Sequence, residues 1–259
     1  MLKRQWAAVL AVFLLAGCGG GASRGGTVLL DGSTAMSGVM AVLQEAFREV
    51  RPEIQVSCSG SGSGAGVEAA LSGTCDIGLA SRALTEEELS RGARAYVIAW
   101  DEIAVIVHPD NPVRALSADT LAQIFTGQLR RWTEAGGGDR PVAVYGREAG
   151  SGTRDAFEEG LGIVDRCAYT NEYCSTGDVT GNVASNPNAI GYVSRSAVNG
   201  TVAAVAADRV LQRPFLLVTK EAAPLSEAAE AFLQFARSAE AAPYIRLAGV
   251  RPPEGEDGP

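Results

Sequence analysis

Apolar residues along this chain fall into short runs separated by polar turns, and the runs alternate between two periods. Residues 27–30 form a brief β-type run ending at Asp31-Gly32. Val39, Met40, Leu43, Phe47 and Val50 then recur at helical spacing, which predicts an amphipathic helix over 34–50, stopped by Pro52. Residues 54–58 alternate as a strand does, and a helix is predicted over about 67–71. Residues 76–80 read as a buried strand, and Thr85 with Glu88 reads as a capped helix start. The β-formers of 96–108 predict a long strand, broken by Pro109 and Pro112. Further on, helices are predicted over 116–125, 154–159 and 226–237, and strands over 142–145, 189–193 and 214–219. This alternation predicts an α/β fold with mostly parallel sheets.

Three stretches rich in Ser, Gly and Thr each lead into one of the predicted helices. They are 32–38, 59–66 and 149–154. A helix start carries unpaired N–H groups and the positive end of the helix dipole. Glycine lets an anion come close to those groups, and hydroxyls add donors of their own. One such start is ordinary capping, whereas three suggest helix ends converging on an oxyanion.

Charge and composition narrow the partners. The 259 residues carry 30 acidic and 22 basic side chains, a formal net charge of −8. That argues against nucleic acid, which wants a basic face. A small anion is not excluded, because local and net charge are separate matters. Lys3 and Arg4 precede a short apolar run, and Leu15-Ala16-Gly17-Cys18 follows it. This reads as an export signal over 1–17 with Cys18 as a lipidated residue; a plain secretory signal beside an incidental Cys is the other reading. Residues 18–26 read as a flexible tether. Cys58, Cys75, Cys167 and Cys174 are an even set in an exported chain, which favours disulfides. Of the three possible pairings, the sequence-local one is expected, Cys58–Cys75 with Cys167–Cys174. No Cys-x-x-Cys occurs and His108 is the only histidine, so no metal site is expected.

Several segments in order resemble one family. They are Gly32-Ser33-Thr34, residues 60–67, Asp76-Ile77-Gly78-Leu79-Ala80-Ser81-Arg82, Leu121-Ala122-Gln123-Ile124-Phe125-Thr126-Gly127, Trp132, residues 147–153 and residues 186–192. Together they are similar to the substrate-binding protein of the bacterial phosphate ABC importer, in a short lipoprotein form. The resemblance implies two α/β lobes joined by hinge strands near 105–108 and 214–218. Residues 27–107 with 215–250 would form lobe one, 108–214 lobe two and 251–259 a tail.

The resemblance also implies a ligand set. Ser33, Thr34 and the Ala35 N–H come from the first cluster, and Ser63 from the second. Ser81 and Arg82 follow a strand. Arg147 supplies charge, Ser151, Gly152 and Thr153 supply the second-lobe helix start, and Arg154 stands where it could add a second guanidinium. Two acids of the family's longer form, which help to reject sulfate, are replaced by Ser81 and Ala149. The implied protein captures phosphate and hands it to a permease, is exported and lipid-anchored, acts as a monomer, and uses no cofactor. Sulfate, molybdate or tungstate binding and envelope sensing are the alternatives. An enzyme is not expected, because no Gly-Lys-Ser/Thr motif occurs and the single histidine, His108, is followed by Pro109 and lies away from every Ser-rich loop in sequence.

Overall fold

The computed structural model describes residues 25–253. The export signal, Cys18 and most of the tether lie outside the described residues. In chain order the elements begin with β1 (Gly26–Gly32), α1 (Ser37–Val50), β2 (Ile54–Ser59), α2 (Ser63–Ser72), β3 (Ile77–Ala80), α3 (Glu86–Ser90) and β4 (Ala93–Val107). Next come β5 (Ala115–Leu116), α4 (Ala118–Phe125), β6 (Ala143–Arg147), α5 (Gly152–Leu161), β7 (Asn171–Tyr173) and α6 (Thr176–Ser185). The remainder are β8 (Ala189–Ser194), β9 (Ala203–Ala207), β10 (Gln212–Lys220), α7 (Glu227–Arg237) and α8 (Ala242–Leu247). A 3-10 turn at Thr34–Met36 leads into α1.

Strands follow one another in the order β2-β1-β3-β10-β4-β8-β6-β7. β1 pairs parallel with β2 and β3, and β6 pairs parallel with β7 and β8. Every antiparallel pair involves β4 or β10. The sheet is therefore parallel within each half and antiparallel at the two strands that cross between them. β4 pairs with β10 as far as Glu102 and with β8 from Ile103 onward. The core changes at the same place. Ile98 and Ala99 pack with α1, α7 and Phe215, whereas Ile103 packs with Phe125, Phe157 and Tyr192. The crossing on β4 is thus a few residues before the 105–108 suggested by sequence.

The local reasons for the elements are those of the sequence. Thr85 forms a capping box, its hydroxyl accepting from Glu88 N at 3.2 Å and the Glu88 carboxylate accepting from Thr85 N at 2.8 Å. β3 and β8 are buried along their whole length, as continuous apolar runs predict. Short or polar elements escaped the pattern: β5, β7, β9, α8 and above all α6, whose Thr, Gly and Asn residues are poor helix formers. Strand β1 begins at Gly26, inside the expected tether, and Arg251 of the expected tail bonds to Trp100 through N–H and C=O at 3.0 and 2.7 Å.

The expected disulfides are a correction. All four described cysteines are free thiols. β1 lies between the strand holding Cys58 and the strand that Cys75 leads into. Cys167 and Cys174 stand beyond opposite ends of the extended strand β7. Burial pushes the Cys167 thiol up to about 12, and burial with the nearby Asp31 charge pushes Cys75 up to about 11.

Candidate functional site

The tight joint between β1, α2 and β3 places the first hydroxyls. A Cβ on Gly66 would lie 2.5 Å from both Asp31 O and Gly32 Cα, so α2 rests directly on the β1 backbone. The start of α2 thereby brings Ser63 against the end of β3. The Ser81 N–H donates to Ser63 Oγ at 3.0 Å, and the two Oγ atoms are 3.3 Å apart. Ser33 donates its hydroxyl to Ser81 Oγ at 2.8 Å. Ser63 and Ser81 are 0% exposed.

The second half meets this cluster at the start of α5. A Cβ on Gly152 would collide with Ser63 Oγ and lie 2.9 Å from Ser81 Oγ. Gly64 N donates to Gly150 O at 3.0 Å, tying the two glycine-rich loops together. Ser151 caps α5, its hydroxyl accepting from Arg154 N. Thr153 is 1% exposed, and its Oγ1 is a buried side-chain oxygen with no hydrogen-bond partner.

Arg147 ends β6 and is buried. Its Nε and Nη2 donate to both Glu148 carboxylate oxygens at 2.9 and 2.8 Å, and its Nη1 donates to Thr176 Oγ1 at 3.3 Å. Carbonyls of Tyr173 and Cys174 accept from it as well. Thr176, at the start of α6, donates its N–H to Thr34 Oγ1 at 3.2 Å. A fourth helix start therefore joins the three read from sequence, and it reaches the first half through Thr34. Ala35 is buried in the 3-10 turn that Thr34 opens.

Two residues of the expected ligand set pair with acids in this structure. Arg82 gives Nη1 and Nη2 to Glu88 at 2.8 and 2.7 Å and Nε to Asp155 at 3.0 Å. Arg154 bonds Glu158 at 2.9 Å, Glu172 and the Arg147 carbonyl at 3.0 Å, and stacks on Tyr169. Acidic neighbours close in space satisfy both guanidiniums.

Two buried groups were missed. Arg213 on β10 stands directly across from Asp101 on β4. Its Nε and Nη2 donate to Asp101 Oδ2 at 3.0 and 2.8 Å, and its Nη1 donates to Ser81 Oγ at 3.2 Å. Ser194 donates to the other Asp101 oxygen at 2.7 Å. Burial pulls Arg213 below the usual arginine range, opposed by Asp101 and reinforced by the Arg147 charge. Burial likewise raises the Asp101 carboxyl, with Arg213 opposing. An Arg inside a β-run gives no sequence signal of its own; its partner lies 112 residues away.

Four helix starts, buried hydroxyls and two guanidiniums can bind an oxyanion and offer no nucleophile–base pair. His108 is engaged in the turn after β4, where its Nδ1 accepts from Asp110 N at 3.1 Å. Among the described residues no group of three or more His, Cys, Asp or Glu could hold a metal ion, and no helix is long and apolar enough to cross a membrane.

Two α/β halves joined by crossing strands, with donors gathered where the halves meet, define a two-lobed solute-binding protein. The chain belongs to the PBP superfamily, whose domain profile matches residues 19–246. It is 32% identical over 182 residues to the phosphate-binding protein PstS of Bacillus subtilis, covering 66% of this chain and 58% of that protein. It is 39% identical over 109 residues to phosphate-binding protein PstS 2 of Streptococcus agalactiae, covering 42% of this chain and 37% of that protein. The chain thus spans less than two thirds of the length of these relatives. A solved protein of Clostridium perfringens with bound phosphate, assigned as a phosphate ABC transporter substrate-binding protein, superposes with a TM-score of 0.84. It is 36% identical, and the match covers 88% of this chain and 100% of that one. An ABC-type phosphate transport receptor of Vibrio cholerae follows at a TM-score of 0.68 and 30% identity, covering 87% of this chain and 100% of that one.

Proposed function

We propose that this protein captures inorganic phosphate between its lobes and delivers it to an ABC permease, without turning it over. The observation that carries this reading is the start of α5 seated on the Ser63 and Ser81 hydroxyls, with the Thr153 hydroxyl buried there unpartnered. An oxyanion would take donors from Thr34, the Ala35 N–H, Ser63, Arg147, Ser151, the Gly152 N–H and Thr153. A buried hydroxyl without a partner costs stability unless a ligand supplies one. The phosphate-binding relatives support the identity of the guest.

In this reading lobe one comprises about 27–102 with 215–250, and lobe two about 103–214. Export and lipid attachment at Cys18 would place a monomer at the outer face of the cell membrane. Titration calorimetry of the purified protein tests the reading. Phosphate is expected to bind with a dissociation constant of about 1 μM or tighter, about −8 kcal/mol. Arg147→Ala is expected to weaken binding by a hundredfold or more, since charge-assisted bonds are the strong ones. An unchanged constant would remove Arg147 from the site.

A second reading keeps the cleft and changes the anion. Both carboxylates near the hydroxyl cluster are already committed, Glu148 to Arg147 and Asp101 to Arg213. An anion that carries no proton, such as sulfate, asks for no acceptor from either of them. Competition of sulfate against phosphate in the same calorimeter distinguishes the two.

A further inference from the structure

We infer that Arg213, anchored by Asp101, is a positioning residue that sets the direction of the Ser81 hydroxyl, so that the Ser81–Ser63 pair presents a hydroxyl proton to the bound anion. The inference rests on the oxyanion reading above and adds a residue and a rule of recognition to it.

A serine hydroxyl has two lone pairs and one proton. Ser81 Oγ accepts from Arg213 Nη1 at 3.2 Å and from Ser33 Oγ at 2.8 Å, which occupies both lone pairs. Its own proton must then point outward. The groups able to take it are Ser63 Oγ at 3.3 Å and an anion in the cleft. Ser63 Oγ already accepts the Ser81 N–H at 3.0 Å. If it also accepts the Ser81 proton, its own proton is passed to the anion. Either arrangement presents a hydroxyl proton to the guest.

The anchoring of Arg213 is too specific to be incidental. Asp101 and Arg213 are cross-strand partners on the two strands that join the lobes. The Asp101 carboxylate receives Nε and Nη2 on one oxygen and the Ser194 hydroxyl on the other. Arg213 is 1% exposed and lies over the Phe215 ring at 5.4 Å. Both partners are stripped of water, so the pair is poor value for stability alone. Its consequence is positional: one guanidinium nitrogen remains beyond the carboxylate, and it is aimed at Ser81. A site with this polarity recognises an oxygen that carries no proton.

The test is a double-mutant cycle read by phosphate calorimetry, with melting temperature as a control. Ser81→Ala is expected to weaken phosphate about tenfold, the size of one lost bond to a charged group. Arg213→Lys keeps the charge but cannot span Asp101 and Ser81 together, and is expected to weaken phosphate to a similar degree. In the Ser81→Ala background Arg213→Lys should then change affinity less than twofold, because its effect passes through the missing hydroxyl. A merely structural Arg213 would lower affinity equally in both backgrounds, and that result overturns the inference. If Arg213→Lys does not fold, Arg213→Gln takes its place in the same cycle, with the same outcomes upholding or overturning the inference, and an unchanged phosphate affinity of Ser81→Ala also overturns it. Wild-type protein that binds no phosphate would instead overturn the functional reading itself.

Discussion

Thr153 shows most directly how a single side chain can serve binding at the expense of stability. Its hydroxyl is buried without a hydrogen-bond partner, a state that costs about 1–3 kcal/mol. Thr153→Val keeps the shape and removes the polar atom. The ligand-free variant is expected to be as stable as the wild type or about 1 kcal/mol more stable in denaturant melts. Its phosphate affinity should fall about tenfold, the loss of one good bond. A variant that melts early yet binds normally would assign the hydroxyl to the fold instead. Arginines make the complementary point. Arg82, Arg147 and Arg154 all sit in motif-bearing stretches, yet acidic neighbours turn Arg82 and Arg154 away from the hydroxyls.

At the scale of elements, the site depends on how closely α2 lies on the sheet. Gly66 faces the β1 backbone, and a Cβ on Gly78 would lie 2.5 Å from Gly66 O. At this joint the helix backbone rests directly on the strand backbone. Gly66→Ala is expected to push α2 outward and destabilise the protein by about 1–3 kcal/mol. That corresponds to a melting temperature about 2–4 °C lower per kcal/mol for a chain of this size. Because Ser63 opens α2, phosphate affinity should drop as well; calorimetry and thermal melts on one preparation check both. Helix α6 belongs to the same account. Its first residue links Arg147 to Thr34, although its Thr, Gly and Asn content hides it from the periodicity of the chain.

For the whole molecule the two halves are held together by a few polar links. Among them are Gly64 N to Gly150 O, Thr176 N to Thr34 Oγ1, and Arg82 to Asp155 at 3.0 Å. The last is partly exposed, since the Asp155 side chain keeps 42% of its surface. Such a pair contributes roughly 0–1 kcal/mol. Asp155→Ala should therefore weaken phosphate by about two- to fivefold by loosening the joined form, with little change in melting of the ligand-free protein. An affinity loss beyond a hundredfold would place Asp155 on the anion itself. Phosphate at about a hundred times its dissociation constant should stabilise the protein by about 2.7 kcal/mol. The expected rise in melting temperature is about 5–11 °C. A melt unmoved by phosphate would contradict capture in the cleft.

Local chemistry made the α/β alternation, the long crossing strand, the Thr85 cap and three of the four helix starts that gather between the halves legible in the sequence. Each depends on residues within a turn or two of one another, where spacing and side-chain type settle the outcome. Partner choice was beyond reach, because it joins residues far apart in the chain. Arg213 meets Asp101 and Ser81 only when the two crossing strands lie side by side. Asp155 likewise reaches Arg82 only when the two halves meet. The amino-acid order determined that hydroxyls and glycines would stand at helix starts; packing decided which of them meet and which charges face them, because a guanidinium taken out of water must find its carboxylate in space.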